Sequence, residues 1–269
     1  MTAGRTIGLI AGNGRFPFLF AEGARQKGAR VVVVAHRGET DPALEQAVSS
    51  FTWVYIGQFG KMVSAFRKHG VTEAAMAGGI GKLKAFKNAR PDWKGLAVIA
   101  RMRHFQDDGL LSGIAAAFEA EGIKIIPSTE FLADVLAPKG LLAGRGPTSD
   151  EQRDIELGRE VATAIGRADL GQTVVVRRGI VIAVEAAEGT DACIRRAGEL
   201  AGEGIVVVKR CKPGQDQRFD LPAVGPETVR TLAAAGGKVL AIEAGKTIVI
   251  DGAELSKLAD ALGISVAGV

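Results

Sequence analysis

The chain has little of what cross-linked or metal-stapled folds are built from. Two cysteines, Cys193 and Cys211, occur in 269 residues. Neither has a second Cys or His at zinc-ligand spacing, which excludes a disulfide scaffold and fits a reducing compartment. His36, His69 and His104 share no metal-ligand spacing either; they read as surface and loop residues and take no catalytic role. No apolar run approaches the roughly 20 residues of a membrane span, and the N-terminus passes into a strand-like segment instead of a signal peptide. The reading is a cytoplasmic protein whose contact with a membrane stays at the surface. A G-x-S-x-G elbow is missing, which disfavours a serine hydrolase, and neither internal repeats nor low-complexity tracts are present. The net charge of +4 favours anionic ligands mildly, without the dense basic stripes of nucleic-acid binders.

What is present is ordinary globular material: 47% hydrophobic and 24% charged residues, with 36 glycines that make loops important. Thr6–Ile10, Arg30–Ala35, Phe51–Ile56 and Glu73–Ala77 are short apolar strands alternating with helical stretches, the pattern of a parallel sheet covered on both faces. Leu110, Leu111, Ile114, Ala115 and Phe118 share one helix face, and Ile123–Ile126 is a further strand. Between Ala133 and Pro147 prolines and glycines crowd together with little apolar periodicity, so the domain boundary is placed at 133/134. Beyond it, Ser149 is expected to cap a helix. Thr173–Val176 and Ile180–Val184 flank Arg177-Arg178-Gly179 as a hairpin, and alternating helices and strands complete a second α/β domain. The fold class is thus α/β, with a Rossmann-like domain over 1–133 and a second α/β domain over 134–269.

Several stretches can carry chemistry. Gly8 and the pair Gly12-x-Gly14 lie where the first strand turns into a helix, so backbone N–H groups can face a phosphate. The dinucleotide fingerprint is incomplete: Pro17 stands at its third glycine, and the second strand ends at His36 and Arg37 instead of a ribose-holding acid. Ala77-Gly78-Gly79-Ile80-Gly81-Lys82 is another turn able to wrap an anion. The segment after it interleaves Lys82, Lys84, Lys87, Arg90, Lys94, Arg101 and Arg103 with Phe86, Trp93, Met102 and Phe105 against the single acid Asp92. That mixture suits an anionic membrane surface or a lipid phosphate, or else a solvated basic face.

Acidic groups form three sets. Asp107-Asp108 precedes a helix, where one of them serves as an N-cap or as a ligand. Glu185, Glu188, Thr190 and Asp191 gather after a strand, Thr190 being the expected cap of the next helix. The loop from Lys209 to Asp220 mixes cations with Asp216 and Asp220, which matches pyrophosphate cleavage. Carboxylates hold Mg²⁺ or orient water there, and Lys and Arg neutralise phosphoryl oxygens.

These motifs together, Gly8-Leu-Ile-Ala-Gly-Asn-Gly14, Ala77-Gly-Gly-Ile-Gly-Lys82, Asp107-Asp-Gly-Leu-Leu111, Ile126-Pro-Ser-Thr-Glu-Phe131, Val184-Glu-Ala-Ala-Glu-Gly-Thr-Asp191 and Lys212-Pro-Gly-Gln-Asp-Gln-Arg-Phe-Asp220, resemble the LpxI-type UDP-2,3-diacylglucosamine pyrophosphatases of lipid A biosynthesis over nearly the whole chain. The resemblance implies a ligand held between the two domains. It also implies Mg²⁺-dependent hydrolysis to lipid X and UMP, with water attacking the sugar-side phosphorus. Asp220 would bind metal or activate water, with Glu188, Asp191 and Asp108 as further metal candidates. Lys212 and Arg218 would act on the pyrophosphate with Lys209. Gly12, Asn13, Gly14, Gly78, Gly79, Lys82, Thr190 and Gln215 would contact substrate, and Leu96, Ile99, Met102 and Leu111 are candidate walls of an acyl groove. The same resemblance implies a homodimer, peripheral at the inner membrane, with no nucleic-acid partner. The alternatives are a non-catalytic nucleotide or lipid sensor and, behind it, a nicotinamide-dependent oxidoreductase.

Overall fold

The computed structural model describes residues 4–81, 89–101, 107–132, 135–216, 218 and 221–269, without the side chains of 101 and 107–110. Two compact units result, Met1–Ala133 with Asp216–Asp220, and Asp134–Gln215 with Leu221–Val269.

In the first unit β1 (Thr6–Ala11), β2 (Arg30–His36), β3 (Ser50–Val54), β4 (Glu73–Ala77) and β5 (Lys124–Ile125) form a parallel sheet in the order β3-β2-β1-β4-β5. Helices α1 (Phe16–Gln26), α2 (Phe59–Lys68), α3 (Trp93–Arg101) and α4 (Asp107–Ala120) connect them. The central strands are apolar along their length because helices cover both faces. Phe66 and Phe118 sit fully buried against Val32 and Val34. Gly8 makes room for this: a Cβ there would lie 2.9 Å from the Phe66 ring. Asp92, the lone acid of the basic segment, is structural. Its carboxylate accepts from Gly95 N–H (2.8 Å) at the start of α3 and from Lys61 N–H (3.2 Å) in the first turn of α2.

The second unit carries β6 (Gly140–Ala143), α5 (Ser149–Arg167), β7 (Thr173–Arg177), β8 (Ile180–Val184), α6 (Thr190–Ala201), β9 (Ile205–Lys209), β10 (Ala223–Val224), α7 (Pro226–Ala234), β11 (Gly237–Ile242), β12 (Ile248–Val249), α8 (Gly252–Leu262) and β13 (Ser265–Gly268). Its six-stranded mixed sheet runs β6-β13-β11-β9-β7-β8, and β10 and β12 pair apart from it. Alternation along β9 explains the layers: Val206 and Val208 face Ile155 of α5, whereas Ile205 and Val207 face Ile194 of α6 and Leu232 of α7. The hairpin between β7 and β8 turns on Arg178 (φ 50°) and Gly179 (φ 75°). Buried Asp154 accepts both of their amides, at 2.8 and 2.6 Å, and so locks a left-handed turn suited to strand twist.

Local details differ from the sequence expectations. Thr148, not Ser149, caps α5, because its hydroxyl and the Glu151 carboxylate close a reciprocal capping box. The Pro- and Gly-rich stretch between Ala133 and Pro147 contains β6, paired antiparallel with β13; an edge strand this short has no periodicity to read. His36 is not a surface residue but 4% exposed, drawn inward by its bond to Ala11. Among the described residues no helix is long and apolar enough to cross a membrane.

Candidate active site

The strand order reverses between β1 and β4, and in open α/β sheets such a switch point opens a crevice at the carboxyl ends of the strands. Both glycine turns lie there. Gly12 N–H donates to Ala77 O (2.8 Å) and Asn13 N–H to Gly79 O (2.8 Å), so these two amides are engaged by the opposite turn. The approach is close enough to demand glycine: a Cβ on Gly12 would stand 2.3 Å from Gly79 O, and one on Gly78, at φ 86°, 2.3 Å from Asn13 O. Gly14, at φ 82°, faces open space.

Around this clasp lies a polar network. His36 Nδ1 (3.0 Å) and Thr40 Oγ1 (2.7 Å) both donate to Ala11 O, and His36 N–H donates to Thr40 Oγ1 (3.0 Å). Burial pushes the His36 imidazole below its ordinary range and keeps it neutral. Glu39, 9% exposed, accepts from Asn13 Nδ2 (3.0 Å) and Gly81 N–H (3.2 Å). Sequence reading missed Glu39; its only signal is an acid three residues past the end of β2, beside a strand that lacks the usual terminal one.

The second unit holds its own buried polar group. Lys209 ends β9 at 5% exposure, and its Nζ donates to Thr190 Oγ1 (3.0 Å) and Ala223 O (2.8 Å). Thr190 in turn donates to Glu185 Oε1 (3.0 Å). Thr190 is therefore no helix cap; Gly189 (φ 85°) takes that position without a side-chain bond. Lys212 Nζ pairs with Asp169 at 2.6 Å in a largely buried contact, a partner no sequence pattern announced. Gln215 Oε1 accepts from Lys212 N–H (2.9 Å) and from the Cys211 thiol (3.0 Å), tying the loop into a turn. The expected candidates Lys209, Thr190, Lys212 and Gln215 thus all belong to ordered, satisfied networks.

Residues 216 and 218 are grouped with the first unit. The Arg218 guanidinium binds both Asp216 oxygens and reaches Glu119 at 2.9 Å, which holds the Asp216 carboxyl below its usual range. Arg218 O also accepts from Ser128 N–H (2.9 Å), joining two of the motifs. Lys82 and Asp220 lie outside the described residues, as does the Asp108 side chain.

A cation needs converging hard ligands, and among the described residues no three His, Cys, Asp or Glu converge. Glu188 is spent on Arg196 at 2.6 Å, with Ala186 N–H on its other oxygen. The described residues do not by themselves make a magnesium site.

Residues 6–135 match the LpxI N-terminal domain and residues 138–267 the LpxI C-terminal domain. A relative from Caulobacter vibrioides, named UDP-2,3-diacylglucosamine pyrophosphatase LpxI, is 36% identical over 98% of both chains. Two domain matches that meet near residue 136, a full-length relative and glycine turns clasped at a Rossmann-type switch point make this chain a member of the LpxI family.

Proposed function

We propose that the protein is a hydrolase that cleaves the pyrophosphate of UDP-2,3-diacylglucosamine in lipid A synthesis. The observation that carries this reading is the 36% identity, over 98% of both chains, with a relative bearing that name. In the reaction, water adds to the sugar-side phosphorus, the bond from that phosphorus to the bridging oxygen breaks, and UMP leaves with the bridging oxygen. 2,3-Diacylglucosamine 1-phosphate (lipid X) is the other product, and one proton is released to a base. Asp220 is assigned as that base or as a ligand of Mg²⁺, and Lys209, Lys212 and Arg218 as the groups that neutralise phosphoryl oxygens. Their present partners, Thr190, Asp169 and Asp216, keep these cations ordered until a more strongly charged phosphate replaces them.

The same reading places the enzyme in the cytoplasm, as a homodimer at the inner-membrane surface. A lipid-facing role is supported by α3, where Trp93 is 86% exposed and Leu96 and Ile99 stand beside it unburied. Such an apolar stripe next to basic residues suits an interface with anionic lipid. Of the other expected acyl-groove walls, Leu111 is half-buried on the core and Met102 lies outside the described residues.

The test is mass spectrometry of products formed in ¹⁸O-labelled water, with and without a chelator. The expected result is metal-dependent UMP and lipid X with label in lipid X. Label in UMP would move the attack to the other phosphorus, and no cleavage by the folded protein would return the sensor reading.

A further inference from the structure

We propose that Glu39 reads a ribose hydroxyl of the nucleotide at the strand switch point, its Oε1 accepting the hydrogen bond. The inference rests on the proposed UDP-sugar substrate and names the residue that recognises its nucleoside.

Glu39 Oε1 is a buried atom with no hydrogen-bond partner, while Oε2 already accepts from Asn13 Nδ2 and Gly81 N–H. A buried, unpaired carboxylate oxygen is costly, and structures retain few of them without a functional reason. Both anchors of Oε2 belong to the glycine turns, one after β1 and one after β4. The carboxylate is therefore fixed between the two turns at the strand switch point, with one acceptor left over. Nucleotide-binding sheets of this order place an acid beyond the second strand to accept from ribose. Here the strand itself ends at His36, which is turned inward onto Ala11 O, and Glu39 reaches the corresponding ground through Asn13. A cation is the poorer occupant, since among the described residues Glu39 belongs to no group of three His, Cys, Asp or Glu side chains able to hold one. A hydroxyl, which brings one donor and needs one acceptor, matches the single unused oxygen.

The experiment titrates the full chain calorimetrically with UMP, 2′-deoxy-UMP and 3′-deoxy-UMP, for wild type, Glu39→Gln and Glu39→Asp. Wild type should bind UMP about tenfold or more tightly over one of the two deoxy nucleotides, the size of a hydrogen bond to a charged acceptor. Glu39→Gln should bring UMP close to that deoxy nucleotide while leaving the latter within about twofold of its wild-type affinity. Glu39→Asp, one methylene shorter, should also lose the preference and covers the case of a Gln variant that does not fold. Equal wild-type affinity for all three nucleotides overturns the proposal, as does an undiminished preference in the variants. If wild type cleaves the UDP-sugar yet shows no preference, only the Glu39 assignment falls; if it neither binds UMP nor cleaves, the substrate reading falls and takes Glu39 with it.

Discussion

The two units solve the problem of burying polar atoms in opposite ways. In the first, the ends of β1 and β4 meet backbone to backbone through glycines, and the surrounding groups are a neutral histidine, a threonine, an asparagine and one carboxylate with an oxygen unused. In the second, buried lysines end a strand and start a loop, each matched by an oxygen partner. A glycine clasp with one carboxylate and a single unspent acceptor suits recognition, because it discriminates by hydrogen-bond count. Paired cations suit charge stabilisation, because phosphoryl oxygens that gain charge in a transition state can draw them from weaker partners. The expected division is that substitutions at Lys209, Lys212, Arg218 and Asp220 act on kcat, whereas those at the glycine clasp and Glu39 act on KM.

The sharpest break in that division comes from Asp220. Replacing it with alanine should lower kcat by about 10²- to 10⁴-fold, the usual contribution of a positioned base or of losing a metal ligand, while UDP-sugar binding by calorimetry persists. Equal loss of binding would make Asp220 a recognition residue instead. Next in size is Lys209→Met. It removes the charge but keeps the aliphatic stem, and should cost about 10²-fold in kcat, as expected for one lost electrostatic donor, with KM little changed. A KM effect without a kcat effect would place Lys209 on the recognition side.

Much of this architecture was legible beforehand because it is periodic or punctuated. Apolar runs of β-branched residues gave the parallel strands, and Arg178-Gly179 between two such runs gave the hairpin. The glycine turns were legible as turns, but their clasp was not: only the fold brings Gly12 within reach of Gly79, across an interval no local pattern spans. Burial of single polar residues escaped for the same reason. His36 and Glu39 resemble surface residues in a short polar stretch, and Asp169 becomes the Lys212 partner through tertiary packing alone. Capping was misassigned by one residue at α5 because Thr148 and Ser149 are both good caps, and the reciprocal bond to Glu151 decides between them.

The clasp yields a prediction of intermediate size. Gly12→Ala forces a methyl to within 2.3 Å of Gly79 O, where backbone and not a flexible side chain must move. A loss of about 1–3 kcal/mol in unfolding free energy is expected, in line with overpacking, together with weaker UMP binding. Gly14→Ala, by contrast, meets no atom but places a Cβ at φ 82°, so it should cost about 1 kcal/mol through backbone strain alone. Stability measured by urea denaturation separates the two, and equal losses would mean that the clasp itself contributes nothing beyond strain.

The smallest effects concern acid, where the two units should respond in different windows. His36 is kept neutral by burial, so its folded pKa lies under its ordinary 6.5. Below pH 6.5 the unfolded chain binds the proton more readily, and stability conferred by this residue falls as the pH drops from there. Glu151 is opposite in chemistry: the Arg145 guanidinium and the Thr148 amide hold its carboxyl at about 2 instead of 4.5. Its contribution is complete above about 4.5 and is lost as the pH falls toward 2. Half the surface of Arg145 is open to solvent, which limits the size of this contribution. Melting temperatures of wild type, His36→Gln and Glu151→Gln between pH 8 and pH 3 should therefore diverge separately. The His36 variant should flatten the decline that begins below pH 6.5, and the Glu151 variant only the part below about 4.5. A Glu151→Gln deficit that stays equal at every pH tested, instead of shrinking below about 4.5, would assign that residue's role to packing at the capping box and not to its charge.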